Sequence, residues 1–261
     1  MVVTIIVVVL GVTALSHTAP FPFLFDAAVG KVSVWRVRQP ADRRSVYLTF
    51  DDGPNPTATP ELLDLLKEKN VQATFFVIDE YVTEATAPIV RRMFAEGHAV
   101  GQHSGNRWLM LHSESRLAAE LQTAASRIEL LTGYRPCPIF RPHAGWRSIP
   151  MFRGMSRLHY RLVGWSWLTW DWYWFRRRAG DRVAYQVLAH AGPGKIIVIH
   201  DGHHRNPRAD RRYALEATRR IVDGLRAQGY DFATFCGGGS NQPAAVPVIH
   251  DLQACKDHQA E

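Results

Sequence analysis

Two adjacent carboxylates end an apolar, β-prone run in Thr49-Phe50-Asp51-Asp52-Gly53-Pro54. Residues Ser45 to Phe50 read as a strand, and Gly-Pro turns the chain at once, so both acids sit at the strand's C-terminal tip. In α/β folds such tips are where active sites assemble. Neighbouring side chains on a strand point to opposite faces, but a turn beginning at Asp52 lets both carboxylates reach one pocket with different surroundings. One acid could then hold a metal ion while the other moves protons. The same residues also suit a plain solvated turn, so the motif needs company.

Four more predicted strand ends supply that company. Ala99 to Gln102 runs into His103-Ser104, and Ile139 to Arg141 into Pro142-His143-Ala144-Gly145. The Trp165 region leads to Asp171-Trp172, and Val198-Ile199 ends in His200-Asp201. A lone histidine at a strand end is usually a satisfied structural residue. An Asp pair, two histidines, an arginine and a further aspartate at successive ends are instead the parts of a hydrolytic site.

The elements that position these residues alternate. Val32 to Val37 suggests a short edge strand. Thr59-Pro60-Glu61 reads as an N-cap, first-turn proline and first-turn acid, followed by the apolar stripe Leu62, Leu63, Leu65 and Leu66. Strand Ala73 to Ile78, a helix through Ile89 to Glu96 ended by Gly97, and helix Ser115 to Thr132 stopped by Gly133 come next. A short helical piece around Met151 to Leu158 precedes strand Leu162 to Ser166. Helix Asp181 to His190, strand Lys195 to His200, helix Tyr213 to Gln228 and strand Phe232 to Phe235 complete the pattern. The fold expected is α/β, a distorted (β/α) barrel of about seven units in one domain spanning residues 32–236. Gly237-Gly238-Gly239-Ser240 opens a polar tail, 237–261, expected to be loosely ordered.

A chain of 261 residues, 46% hydrophobic and 21% charged, is large enough for one such barrel. Its net charge of +7 favours anionic partners such as cell wall or lipid head groups. No nucleic-acid motif accompanies that charge, so nucleic acid is not an expected partner, and Arg211, Arg212, Arg219 and Arg220 read as a solvated helix face. Val2 to Leu15 is an apolar run followed by Ser16-His17-Thr18-Ala19, the length of a signal-peptide core, although basic residues before it are missing. Residues 1–19 are therefore expected to export the chain, with a retained membrane anchor or a buried strand as alternatives. The three cysteines, Cys137, Cys236 and Cys255, leave room for one disulfide of unassigned pairing and offer no C-x-x-C zinc pair.

With these motifs in place, the chain resembles a polysaccharide deacetylase of carbohydrate esterase family 4, the group sharing the chitooligosaccharide deacetylase homology domain. The likeness runs from about Val46 to Phe235. It rests on Thr-Phe-Asp-Asp-Gly-Pro, Gly97-His98 before His103-Ser104, Phe140-Arg141-Pro142 with Gly145, Asp171-Trp172 and Ile199-His200-Asp201. The resemblance implies an exported monomer that removes N-acetyl groups from amino sugars of peptidoglycan or a chitin-like polymer, using a divalent metal, zinc before cobalt or nickel. It implies Asp51 as general base, Asp52 and His103 as metal ligands, and Arg141 as the group orienting the base. The backbone N–H near Ala144 falls where the family holds the oxyanion, His200 at the general acid and Asp171 at its charge partner. Trp172 and Val198 fall where the family lines the acetyl pocket.

One departure bears on the metal. The family's H-[ST]-x-x-x-H or H-[ST]-x-x-H motif is here His103-Ser104-Gly105-Asn106-Arg107-Trp108, so no second histidine follows. An arginine has no lone pair to offer. His143 is the first candidate to complete the set, with His112 and His203-His204 behind it. Otherwise Asn106 or water fills the gap, or Arg107 pairs with Asp52 and its charge replaces the metal, which would leave a carbohydrate-binding protein without catalysis or an altered hydrolase. Leu168 and His143-Ala144 stand where the family often has Asp and Pro-Tyr. An O-acetyl sugar esterase is a further reading of the same site. Trp165 and Trp167 are as well explained by packing as by sugar stacking, and His98 reads as structural.

Overall fold

In the computed structural model of the chain, residues 1–167, 169, 171 and 179–236 are described. The expectations for Trp172 and for the tail 237–261 fall outside them. Helix α1 (Val2–Thr18) is apolar on all sides and exposed along most of its length. None of the described helices is long and apolar enough to cross a membrane. After α2 (Leu24–Val29) and the short strand β1 (Ser33–Val34), strand and helix alternate: β2 (Ser45–Gly53), α3 (Ala58–Glu68), β3 (Thr74–Ile78), α4 (Ala87–Ala95) and β4 (Ala99–His103). Then come α5 (Glu114–Thr132), β5 (Ile139–Arg141), α6 (Ile149–Arg157), β6 (Arg161–Val163), α7 (Gly180–Ala189), β7 (Ile196–His200), α8 (Arg212–Ala227) and β8 (Asp231–Phe232).

Parallel strands in the order β1-β6-β5-β4-β3-β2-β7 curl into a half-barrel, with β8 paired to the start of β2. Among the described residues the open side is spanned by two isolated bridges, Trp167 to Ile197 and Arg36 to Lys195. This is the single-domain distorted (β/α) barrel the alternation predicts. Period-two alternation sorts each strand between two cores. Val46, Leu48 and Phe50 of β2 pack outward with Leu62, Leu66, Ile221 and Leu225 of the helices. Tyr47 packs instead with Phe76, Ile139, Val163 and Ile196, the residues of the barrel interior. Burying each such aliphatic side chain is worth about 1.5–3 kcal/mol. By the same parity Thr49, Asp51, His103, Arg141 and His200 lie on the interior face, all but Thr49 near the C-terminal end of the strand.

Two local readings are corrected. Thr59 is not the cap of α3: Asn55 Oδ1 accepts the N–H groups of Thr57 (3.0 Å) and Ala58 (3.2 Å), and Thr59 sits inside the first turn. Prolines 54 and 56 bracket Asn55 and hold it in position for this role. The strand after Tyr160 ends at Val163, where the chain bends toward Trp167. At the other end of the chain Cys137 is joined to Cys236, assigning the bridge that the sequence left open.

The N-terminal segment is stitched into the barrel through one buried ion pair. Arg147 donates to Asp26 Oδ2 from Nη2 (2.6 Å) and Nε (2.9 Å), to the Ala19 carbonyl (2.7 Å) and to the Phe21 carbonyl (2.7 Å). Its backbone N–H donates to the His17 carbonyl at 2.9 Å. Trp35 Nε1 donates to Asp26 Oδ1 at 2.8 Å, and the Arg147 guanidinium lies 4.9 Å from the Trp35 ring centre. An arginine this enclosed is tolerable only because its donors meet carbonyls and a carboxylate. The segment therefore braces the loop that follows Arg141.

Candidate active site

Asp51 ends the regular part of β2, paired in register with His200 of β7 and Phe76 of β3. Arg141, fully buried in the interior, donates from Nη1 to Asp51 Oδ1 (2.5 Å) and Thr49 Oγ1 (2.8 Å). Its remaining contacts go to the carbonyls of Val163 (3.0 Å, from Nε) and Gly164 (2.8 Å, from Nη2). Burial pulls the guanidinium's pKa down and the Asp51 charge opposes it. The arginine thus fixes one carboxylate oxygen of Asp51 in a charge-assisted hydrogen bond.

Asp52 reaches the same pocket through a bulge. The β2–β3 register slips between Asp51 and Gly53, and Asp52 takes φ 68°, in the left-handed region that Asp tolerates better than most residues. The slip turns a side chain that parity would send outward toward His103, whose Nε2 lies 3.1 Å from Asp52 Oδ1. Burial alone would raise the Asp52 pKa, but His103, then His200 and His143, hold it well below the usual carboxylate range. His103 Nδ1 donates to the Arg141 carbonyl at 2.7 Å, which leaves Nε2 to face the carboxylate. His103 pairs in register with Arg141, so His143, two residues further on, comes alongside. The rings are 6.1 Å apart, and ligand atoms of Asp52, His103 and His143 all lie within 4.8 Å of one another.

These three residues could hold a metal ion. Asp52 Oδ1 and His143 Nδ1 are both buried without a hydrogen-bond partner among the described residues. Burial, with the charges of His103, His204 and Arg107, holds the His143 pKa down to about 3, so its imidazole is neutral with a free lone pair. Two unsatisfied buried acceptors beside the His103 imidazole fit a cation. Arg107 does not pair with Asp52. Its guanidinium stacks 5.3 Å from the centre of the Trp146 ring, and no carboxylate among the described residues meets it. His112 lies apart, with Nδ1 3.7 Å from Glu120, in a cavity of about 320 Å³ behind His103.

On the opposite side His200 Nδ1 donates to Asp171 Oδ1 at 3.0 Å, and its backbone N–H donates to Asp171 Oδ2 at 2.9 Å. Burial disfavours the imidazolium, but Asp171, with Asp52 and Asp51, outweighs it and lifts the pKa to about 9. Asp171 is itself gripped by Thr169 Oγ1 (3.2 Å) and the Tyr213 hydroxyl (3.2 Å). Arg211, read from the sequence as solvated, is instead buried, donating to the Gly202 carbonyl (2.5 Å) and the Tyr213 hydroxyl (3.0 Å). The other arginines of that group are exposed and paired with surface acids. Sequence reasoning named Asp201 within its motif without a role and passed over Gly202. Thr59 Oγ1 donates to Asp201 Oδ2, and burial with the charges of Asp52 and Asp51 pushes the Asp201 pKa up to about 7. A Cβ on Gly202 would stand 1.8 Å from the Asp52 carbonyl oxygen, so only glycine lets β7 and the bulge approach. Their one visible signal was the unbroken run His200-Asp201-Gly202.

The remaining expected residues are placed as follows. Ala144 is exposed at φ 55° in the turn between His143 and Gly145. Val198 is buried, and its carbonyl accepts from Thr169 Oγ1 at 3.1 Å. His98 is buried under α4, accepting the Ala73 N–H at 3.1 Å, and burial holds its pKa down to about 4. Trp165 is core, whereas Trp167 is 44% exposed.

Residues 38–163 match the polysaccharide deacetylase family. The chain is 37% identical over 207 residues to a chitooligosaccharide deacetylase of Bradyrhizobium sp. (strain ANU 289), a match covering 72% of this chain and 87% of the relative. It is 30% identical over 203 residues to a peptidoglycan-N-acetylglucosamine deacetylase of Bacillus cereus, covering 77% and 89%. Among solved structures, the Bc1960 peptidoglycan N-acetylglucosamine deacetylase superposes with a TM-score of 0.68 at 29% identity, covering 80% of this chain and 94% of that one. Barrel, motif strand and relatives agree: the chain belongs to the polysaccharide deacetylase family, in carbohydrate esterase family 4.

Proposed function

We propose that the protein hydrolyses N-acetyl groups on the amino sugars of a polysaccharide of the cell wall or a chitin-like polymer, with a metal held by Asp52, His103 and His143. The observation that carries the mechanism is the pairing of Asp51 with His200 on adjacent strands, beside those three ligands. Bound there, a divalent ion would supply Lewis-acid polarisation of the acyl oxygen and a more acidic water. A set of two nitrogens and one carboxylate suits zinc, with cobalt or nickel able to substitute.

The chain's own residues do the proton work. Asp51, oriented by Arg141, accepts the proton of the attacking water. That water's oxygen bonds to the acetyl carbon, and the exposed backbone at Ala144 is the candidate donor to the oxygen that gains charge. His200, with Nδ1 committed to Asp171 and a pKa lifted to about 9, is protonated at neutral pH. Its Nε2–H passes to the amine nitrogen as the carbon–nitrogen bond breaks, releasing acetate and a free amino sugar. The relatives named for chitooligosaccharides and for peptidoglycan support this substrate class. An exported or membrane-held location is supported by α1, whose apolar residues are exposed on all sides. The test is acetate release from N-acetylglucosamine oligomers, lost with a chelator and regained with zinc. Binding of the oligomers without metal-dependent turnover would refute the enzyme in favour of a carbohydrate-binding protein.

A further inference from the structure

Arg107 occupies the place where the family's metal motif carries a histidine, yet it neither binds Asp52 nor covers the ligand cluster with a salt bridge. It follows His103 by four residues, at the start of a 3-10 turn over Arg107–Leu111 on the rim of the site. Trp146 supports it from one side, 5.3 Å from the guanidinium carbon. Trp108 meets Trp146 edge-on at 5.7 Å and is itself 57% exposed. Across the rim the His204 ring lies 4.5 Å from that of His143. A guanidinium laid on an indole keeps its N–H edge directed sideways, where it can take a planar anion two-pronged. An exposed indole beside it offers a face for a pyranose ring.

We propose that Arg107, seated on Trp146 beside Trp108, forms a subsite for a carboxylate-bearing sugar next to the acetylated residue, so that acidic N-acetylated glycan strands are preferred over neutral ones. The inference rests on the deacetylase reading and narrows its substrate class. Loss of the motif histidine then has two linked consequences: His143 is left to serve the metal, and the vacated position reads the neighbouring sugar. A solvated arginine without this role would show no discrimination between acidic and neutral strands.

The test uses matched β-linked N-acetylated amino-sugar oligomers, one carrying a carboxylate on an alternate residue and one with that carboxylate reduced to the alcohol. Equilibrium binding and acetate release are measured separately on the full chain. The wild type is expected to bind the acidic oligomer about tenfold more tightly at low salt, a preference shrinking as salt is raised. Arg107→Gln is expected to bring that ratio to about one, Arg107→Lys to keep part of it, and Trp108→Ala to weaken both oligomers alike. Equal binding of the two oligomers by the wild type, or a preference that survives Arg107→Gln at unchanged melting temperature, overturns the subsite. A preference in binding with no acetate released from either oligomer supports the subsite and overturns the deacetylase reading. Release from both at equal efficiency does the reverse.

Discussion

Replacing Asp171 by Asn tests the acid half of the site, because it removes a charge while keeping the shape that Thr169 and Tyr213 hold. In the wild type His200 has its pKa lifted from 6.5 to about 9, with Asp171 the chief force against burial. Without that carboxylate, burial holds the imidazole at or below about 6.5. At pH 8 the protonated fraction then falls from about nine-tenths to about 3 per cent, so kcat/KM for acetate release is expected to drop about 30-fold. At pH 6 about three-quarters of an imidazole of pKa 6.5 is protonated and the loss nearly vanishes. The basic limb of the pH profile should thus move down by about 2.5 units. Stability follows the same sign: a raised pKa contributes fully below about pH 6.5 and is lost as pH rises through about 9, for about 3 kcal/mol at most. The assay is initial-rate acetate release from pH 5 to 10 together with thermal unfolding at pH 6 and 9. A variant whose basic limb coincides with that of the wild type would refute the assignment of His200 as an acid held charged by Asp171.

His143→Ala should lower zinc affinity by about 100-fold or more in competition with a chromophoric chelator, whereas Arg107→Ala should leave one bound metal per chain; the opposite pattern would discard His143 as a ligand. Gly202→Ala should cost about 3 kcal/mol or more, because its Cβ would stand 1.8 Å from the Asp52 carbonyl oxygen, and unfolding by urea should reveal it. Removal of residues 1–19 strips the His17 and Ala19 carbonyls from Arg147. With about 1.5–3 kcal/mol for the Ala19 bond to the charged guanidinium and about 1 kcal/mol for the His17 bond to the backbone N–H, the truncated chain should melt several degrees lower, and an unchanged melting temperature would show the brace to be dispensable.

Most of the barrel could be read from the chain because apolar periodicity, Gly97 and Gly133 marked where elements begin and end, and the predicted strand ends gathered Asp51, His103, Arg141 and His200 at one rim. What escaped was set by contacts between distant segments. Arg211 carries the same side chain as Arg212 but lies buried, a difference decided by the Gly202 carbonyl and the Tyr213 hydroxyl arriving from other elements. Asp26 and Arg147, 121 positions apart, gave no local sign of meeting. The third metal-ligand candidate lies between these cases. Local spacing after His103 ends on Arg107 and Trp108, so a reading confined to one strand finds the site incomplete. Parallel pairing of His103 with Arg141 supplies the missing step. In a parallel sheet, residues just beyond two paired strand ends share one rim, so the loop after Arg141 must deliver His143 beside the position that Arg107 leaves empty of nitrogen lone pairs. A ligand set of this kind is encoded in strand order as much as in spacing, and a gap in one loop's motif is filled from the loop of the neighbouring strand.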